Sequence, residues 1–306
     1  MTRVAMLMGG WSAEREVSLS SGKECAAALA AENYEVIAID VSRDMGALLK
    51  ALTPRPDVVF NALHGRGGED GTVQGVLEFL RLPYTHSGVL ASAVAQHKPT
   101  AKAVFAAAGL PLPEGKVVAR AQLATGDVYP RPFVAKPVNE GSSVGVRIVR
   151  EGDNSWEEEA AHWSYDEALV ERFVPGREIT VAVMGDRALG VLEIRPNNAT
   201  NMYDYHAKYA PGGSTHLMPA PIHETAYAQA LDIALRAHRA LGCRGVSRAD
   251  LRYDDTRGEP GRMVLIEVNT QPGMTPTSLV PDIARHAGIE FPALVRWMVE
   301  HAACDF

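Results

Sequence analysis

Four polar residues on two apolar segments carry the most chemical potential in this sequence: Arg248 and Asp250 in residues 245–251, and Glu267 and Asn269 in residues 263–273. Residues 254–261 between them, Asp-Asp-Thr-Arg-Gly-Glu-Pro-Gly, are turn formers, so the two segments read as a hairpin with a long loop. Pairing Tyr253 with Val264 sets Asp250 opposite Glu267 and Arg248 opposite Asn269. Side chains alternate faces along a strand, so all four polar groups then project from one face. Two carboxylates and an amide oxygen converge there beside a guanidinium. Burying carboxylates is costly unless they are paired, hydrogen-bonded or bound to a cation. Hard oxygen donors without nearby His or Cys suit Mg²⁺, which takes a few carboxylates and leaves its other positions to water and phosphate. The alternative is a structural Arg248–Glu267 ion pair with Asn269 capping the turn. Three oxygen donors at matching register favour the metal.

A cradle for phosphate is the natural companion of such a metal. Residues 132–137 read as a strand carrying Lys136, followed by Glu140-Gly141-Ser142-Ser143-Val144-Gly145-Val146. Small residues there let several backbone N–H groups point at an anion. No Lys-Ser/Thr follows the glycines, so this is not a Walker A loop. Gly-Ser-Ser is also a common hairpin turn, and Lys98 and Lys136 taken singly are surface-type residues. Near the N-terminus, Glu14 and Glu16 follow Gly9-Gly10, and Glu16 reads as a helix-start acid favoured by the dipole. That segment lacks G-x-G-x-x-G, which weakens a nicotinamide reading. His64 sits between a strand and a Gly-rich loop, a place where backbone approaches ligands, although a lone His is more often structural. Residues 195–219 are polar and Gly/Pro-rich, with Tyr203, Tyr205, Lys208 and Tyr209 embedded, and read as a lid or binding loop.

The elements that must position these groups follow from hydrophobic periodicity. Residues 4–8, 34–40 and 57–61 read as strands and 17–31 as a helix, which makes residues 1–96 a parallel βαβ domain whose ligands sit beyond the strand ends. A boundary falls near His97-Lys98-Pro99, followed by a helix over 100–108. Residues 155–162 read as an acidic helix, 168–174 and 177–184 as strands, and 224–241 as an amphipathic helix ending at Gly242. The expected division is 1–96, 97–185 and 186–306. A length of 306 residues, 46% of them hydrophobic, with 27 Gly, fits two or three domains with real cores. A net charge of −7 argues against a nucleic-acid surface. Three scattered cysteines suggest a reducing compartment without a disulfide framework, and neither a secretory signal nor a bilayer-length apolar run is evident. The expectation is a cytoplasmic α/β enzyme.

With these pieces in order the sequence resembles the ATP-grasp superfamily, and within it the D-alanyl-D-alanine ligase family, along essentially its whole length. The resemblance rests on Gly9-Gly10 with residues 12–18 (Ser-Ala-Glu-Arg-Glu-Val-Ser), on residues 63–71 (Leu-His-Gly-Arg-Gly-Gly-Glu-Asp-Gly), on Lys136-Pro137 with residues 140–145, on Ala207-Lys208-Tyr209, and on residues 267–270 with Pro272-Gly273-Met274-Thr275. It departs from the family where His97 replaces an acidic residue before Lys98, and where Arg248-Ala249-Asp250 replaces the common Arg-Ile-Asp. The resemblance implies a βαβ domain followed by two α+β ATP-grasp subdomains. It implies ATP-dependent joining of two D-alanines through an acyl phosphate, for peptidoglycan precursors. Asp250, Glu267 and Asn269 would hold two Mg²⁺, with Mn²⁺ as a substitute. Lys98, Lys136 and Ser143 would bind ATP phosphates, Glu171 and Glu178 the adenine amino group and ribose hydroxyls, and Lys208 the γ-phosphate. Arg248 and the Gly273 N–H would face the oxyanion of the tetrahedral intermediate. Glu14 would hold the first D-alanine's ammonium, with Ser142 and Tyr209 linking it to the lid. His64 would lie near the first carboxylate, and Ser278 with Leu279 near the second. The family is commonly dimeric, so a homodimer is expected. The rivals are another ATP-grasp carboxylate-amine ligase and a non-catalytic nucleotide-binding protein; the first should lack residues 12–16 and the Lys208-Tyr209 pair, the second Asp250 or Glu267.

Overall fold

A computed structural model describes residues 1–126, 128–197, 203, 208, 210 and 212–305. Its first sheet has the order β2-β1-β3, formed by β1 (Arg3–Gly9), β2 (Glu35–Val41) and β3 (Val58–Asn61), with β1 parallel to both neighbours. Val4, Met6, Val59 and Phe60 are wholly buried, as expected of parallel strands covered on both faces. Helix α1 (Arg15–Ala31) packs on this sheet and starts at the strand end, where Gly9 and Gly10 adopt positive φ. A Cβ at Gly9 would collide with Asp40 and Arg15, so only glycine permits that turn.

Four antiparallel strands follow in the order β4-β7-β5-β6: β4 (Gly115–Ala119), β5 (Phe133–Pro137), β6 (Arg147–Val149) and β7 (Glu167–Arg172). Period-two alternation divides the faces. Phe133, Ala135, Ala168 and Val170 join Trp156 in an apolar core, while Val134, Lys136 and Glu171 turn the other way, into a cleft.

A third sheet, β10-β9-β8-β11-β12, contains β8 (Arg177–Met184), β9 (Arg187–Pro196), β10 (Ser214–Leu217), β11 (Val246–Asp254) and β12 (Arg262–Asn269). Ile179, Val181, Val183, Ala249, Leu251 and Tyr253 pack against the helix Glu224–Ala240, which leaves Glu178, Thr180, Arg248, Asp250 and Arg252 on the opposite face. The largest core runs from Val4, Met6 and Phe60 of the first sheet to Ala182 and Leu192 of the third and to Ile283, Leu294 and Met298 of the last two helices. The N- and C-terminal parts of the chain thus share one core.

Three sequence expectations change in detail. The expected loop over 195–219 is partly sheet, since β9 reaches Pro196 and Ser214–Leu217 pairs with it. The strand expected over 168–174 ends at Arg172. Tyr253 pairs with Met263, not Val264, and a register shift between Asp250 and Leu251 then restores Asp250 opposite Glu267 and Arg248 opposite Asn269. The physical reason is a β-bulge, which sets one extra residue of β12, Ile266, against β11.

Candidate active site

The candidates converge on two adjoining cavities. One, of about 460 Å³, is lined by Glu14, His64, Lys98, Ser142, Lys208, Arg248, Glu267, Asn269, Gly273, Ser278 and Leu279. The other, of about 320 Å³, is lined by Lys98, Lys136, Ser143, Glu171, Glu178, Lys208, Asp250 and Glu267. Lys98, Lys208 and Glu267 border both, so they stand where the contents of the two cavities meet. Tyr209 lies outside the described residues.

The smaller cavity has apolar walls, with Val134, Val144, Val146, Ile148, Val174 and Ile266, and charged groups at set positions. The bulge at Ile266 is what lets this residue and Glu267 both reach the cleft, since both stay partly exposed beside buried Leu265 and Val268. Glu171, 3% exposed, lies 2.5 Å from the Lys136 ammonium and also accepts a hydrogen bond from Lys102. Burial pushes the Glu171 carboxyl up, but the two ammonium groups outweigh it and hold it below the usual carboxylate range. Glu178 faces Arg252 at 3.6 Å across β8 and β11, and there burial wins over the guanidinium, so its carboxyl rises. An apolar cleft lined also by acidic and basic groups suits a nucleotide.

At the junction, Arg248 grips Asp250 through two hydrogen bonds of 2.8 and 2.7 Å, and the Thr180 hydroxyl donates to the same carboxylate at 2.8 Å. Burial disfavours both charges, yet their attraction prevails: Arg248 stays protonated and Asp250 is held below its ordinary value. Among the described residues, Glu267 has Lys98, at 3.9 Å, as its ion-pair partner. Burial pushes the Lys98 amine down while Glu267 pulls it up, and its ammonium also donates to the Glu140 carbonyl. The Arg248–Glu267 pair considered from sequence is therefore replaced by Arg248–Asp250, because a carboxylate two residues along the same strand face is nearer than one across the hairpin. The other half of that alternative does occur, since Asn269 Oδ1 accepts from the Gln271 N–H at 2.8 Å.

Asp250 and Glu267 are cross-strand partners, Asn269 follows two residues on, and all three border the cleft with oxygen donors and no His or Cys among them. Among the described residues no group of three His, Cys, Asp or Glu side chains is arranged for a metal, and two carboxylates with an amide is the sparse donor set that Mg²⁺ accepts when phosphate completes it. The residues fit.

In the larger cavity Glu14 immediately precedes α1 and accepts a hydrogen bond from Ser142. Ser142 and Ser143 both have positive φ, at 50° and 60°, a tight fold that L-residues adopt rarely and that tends to mark a functional loop. Ser143 in turn donates to the Tyr203 carbonyl at 2.9 Å. His64 is buried, its Nδ1 3.0 Å from Glu69 and its Nε2 3.3 Å from the Ser21 hydroxyl. Burial raises the Glu69 carboxyl against the pull of His64. On the far wall, Ser278 precedes the helix Leu279–His286, whose N-terminal end borders the cavity and favours an anion such as a carboxylate. Its hydroxyl accepts from the Thr275 N–H at 3.1 Å and would lie 3.2 Å from a Cβ at Gly273, so a side chain at that position would crowd Ser278.

Sequence reasoning missed Lys102, Arg252, Glu69 and Thr180 as members of the site, whereas Tyr203, expected in the lid or binding loop, borders both cavities. Lys102 stands one helical turn after Lys98, and Arg252 continues the alternation of Arg248 and Asp250, so periodicity marks both. Glu69 lies in the Gly-rich loop already noted. Thr180 carries no signal of its own, since sheet register alone brings it to Asp250.

Comparison with known proteins agrees with this geometry. Residues 104–300 match the family model described as D-ala D-ala ligase C-terminus, and residues 45–87 the model described as D-ala D-ala ligase N-terminus. A D-alanine–D-alanine ligase of Paramagnetospirillum magneticum is 62% identical over 99% of both chains, and one of Acidiphilium cryptum is 60% identical over 99% of both. Among solved structures, the D-alanine–D-alanine ligase of Bacillus anthracis complexed with ATP superposes with a TM-score of 0.79 at 28% identity, over 98% of this chain and 97% of the other. Together with the cleft built from all three sheets, these matches establish that the chain belongs to the D-ala D-ala ligase family.

Proposed function

We propose that this protein joins two D-alanine molecules to D-alanyl-D-alanine with conversion of ATP to ADP and phosphate, supplying peptidoglycan precursors. The observation that carries the reading is the meeting of two cavities, one suited to a nucleotide and one to amino acids, at Lys98, Lys208 and Glu267. A carboxylate resists amines because its leaving group is poor, and phosphorylation corrects this. Lys98, Lys136, Lys208 and the 142–145 loop bind the ATP phosphates, while Glu171 and Glu178 take the adenine amino group and ribose hydroxyls. Asp250, Glu267 and Asn269 would hold two Mg²⁺, or Mn²⁺, which would neutralise charge on the transferring phosphoryl group.

Glu14 holds the ammonium of the first D-alanine and His64 lies by its carboxylate, whose oxygen attacks the γ-phosphorus with departure of ADP. The amine of the second D-alanine, its carboxylate against Ser278 and the Leu279 N–H, attacks the acyl carbon. Arg248 and the Gly273 N–H stabilise the oxyanion, and phosphate leaves. Ser142 and Tyr209 link Glu14 to the lid. Residues 1–96, 97–185 and 186–306 form the first-substrate domain, the central subdomain and the metal-bearing subdomain. A homodimer in the cytoplasm belongs to the same proposal. No helix among the described residues is long and apolar enough to cross a membrane.

The test mixes purified protein, ATP, Mg²⁺ and D-alanine and quantifies ADP and dipeptide. One ADP per dipeptide is the expected result. ADP release with a different acid or amine, and none with D-alanine, would overturn the substrate assignment.

A further inference from the structure

The end of β12 carries Asn269 and the loop after it Gly273, and this stretch is pinned to the first-substrate domain by a side chain with no role in the reaction above. Gln271 is 1% exposed. Its amide nitrogen donates to the Leu63 carbonyl, and its amide oxygen accepts from Asn61 Nδ2 at 2.9 Å. Asn61, wholly buried at the end of β3, also donates to the Gly68 carbonyl at 3.1 Å and accepts from the Leu63 N–H at 3.2 Å. Gln74 adds a second hydrogen bond to Gly68, at 2.7 Å. The Gln271 backbone N–H meanwhile fixes Asn269 Oδ1 at 2.8 Å. Three residues on, the Met274 N–H donates to Ser21 Oγ at 3.3 Å, the hydroxyl that also contacts His64.

One buried amide therefore ties the loop bearing a metal-side oxygen and an oxyanion N–H to the turn bearing His64. The residues it joins are 208 and 210 positions apart in sequence. Buried amides are retained only when their hydrogen bonds are satisfied, and both ends of this one are. Misplacing a reacting group by about 1 Å can cost about 10²-fold in rate.

We propose that Gln271 is a positioning residue that sets the Asn269–Gly273 loop against the first-substrate floor, so that the acyl carbon and the oxyanion N–H stay aligned through the second half of the reaction. This rests on the ligase reading given above. When alignment fails, ATP still phosphorylates the first carboxylate, because the contact to Asn269 comes from the Gln271 backbone N–H, which a side-chain substitution keeps, and Gln271 does not line the nucleotide cavity. Water then replaces the amine: it attacks the acyl carbon, the bond to the phosphate oxygen breaks with its electron pair, and D-alanine and phosphate are released. ADP accumulates without dipeptide.

The test is the ratio of ADP to dipeptide in Gln271→Met, which keeps length and volume but loses both hydrogen bonds. The expected ratio rises from one to about threefold or more, with affinity for a non-hydrolysable ATP analogue within about twofold of wild type. Gln271→Glu keeps the acceptor but faces the Leu63 carbonyl with a carboxylate; its ratio should fall back towards one as pH is lowered and the introduced carboxyl becomes a donor. This variant also carries the test if the Met variant does not fold. A ratio of one in both variants, with activity merely following the folded fraction, would show that Gln271 only stabilises the fold. Failure of the wild type itself to make dipeptide would instead strike the ligase reading.

Discussion

Glu267→Gln lowers turnover by about 10³-fold while leaving the fold intact, if Glu267 serves the transferring phosphoryl group as proposed. Glutamine keeps the shape and one oxygen of glutamate and removes only the charge. Strand β12 does not depend on that charge, because Met263, Val264, Leu265 and Val268 are the buried residues that hold it. The ion pair lost, to Lys98 at 3.9 Å, is long and partly exposed, a class that contributes at most about 1 kcal/mol. Stability and activity should therefore separate. Circular dichroism and thermal unfolding should match wild type, dipeptide formation should collapse, and Mg²⁺ should no longer tighten nucleotide binding. Turnover near that of wild type with Mg²⁺ would remove Glu267 from the metal set. Asp250→Asn is a poorer probe, since it also strips Arg248 of its partner and leaves a buried guanidinium unpaired.

The hairpin shows how far local pattern reaches. Alternation placed Arg248, Asp250, Glu267 and Asn269 on one face, and the structure pairs them two by two. The premise used to get there was off by one residue at Tyr253. A bulge is invisible to alternation, because it is defined by which residue of the partner strand goes unpaired. Strands with strong period-two or continuous apolar runs, such as Arg3–Gly9 and Arg177–Met184, were legible within a residue or two. The short strands Gly115–Ala119 and Arg147–Val149 were not, since three to five residues with exposed positions give no periodicity to count.

For the site, residue types that are expensive to bury were the readable ones. Carboxylates and lysines beside glycine-rich or β-branched segments draw attention because their burial needs a cause. Their partners do not advertise themselves. Thr180, Ser21 and Asn61 are ordinary polar residues in sequence, and only the register of distant strands and the packing of α1 bring them to Asp250, His64 and Gln271. The family resemblance supplied roles for the first group and was silent on the second.

Glu171→Gln destabilises the free enzyme by about 3 kcal/mol at neutral pH, the scale seen when one member of a buried charge cluster is removed. The carboxylate is nearly inaccessible and is shared by Lys136 and Lys102, so its loss leaves two ammonium groups facing a neutral amide. The sign of the pH dependence follows from linkage. The folded-state value lies below the ordinary 4.5, so the unfolded chain binds the proton more readily. The contribution is complete above the unfolded value and is lost as pH falls through the folded one. Urea unfolding should show the full gap between wild type and variant at pH 7, with the gap narrowing once pH drops below about 4.5. A gap unchanged at lower pH would mean that the variant loses packing rather than charge. Adding Lys102→Met to Glu171→Gln provides the second check: the Lys102 ammonium then no longer lies buried without its carboxylate, so the double variant should recover part of the lost stability. Further destabilisation by the second substitution would mean that Lys102 acts through its contact with the Pro113 carbonyl at 2.7 Å and not as a member of the cluster.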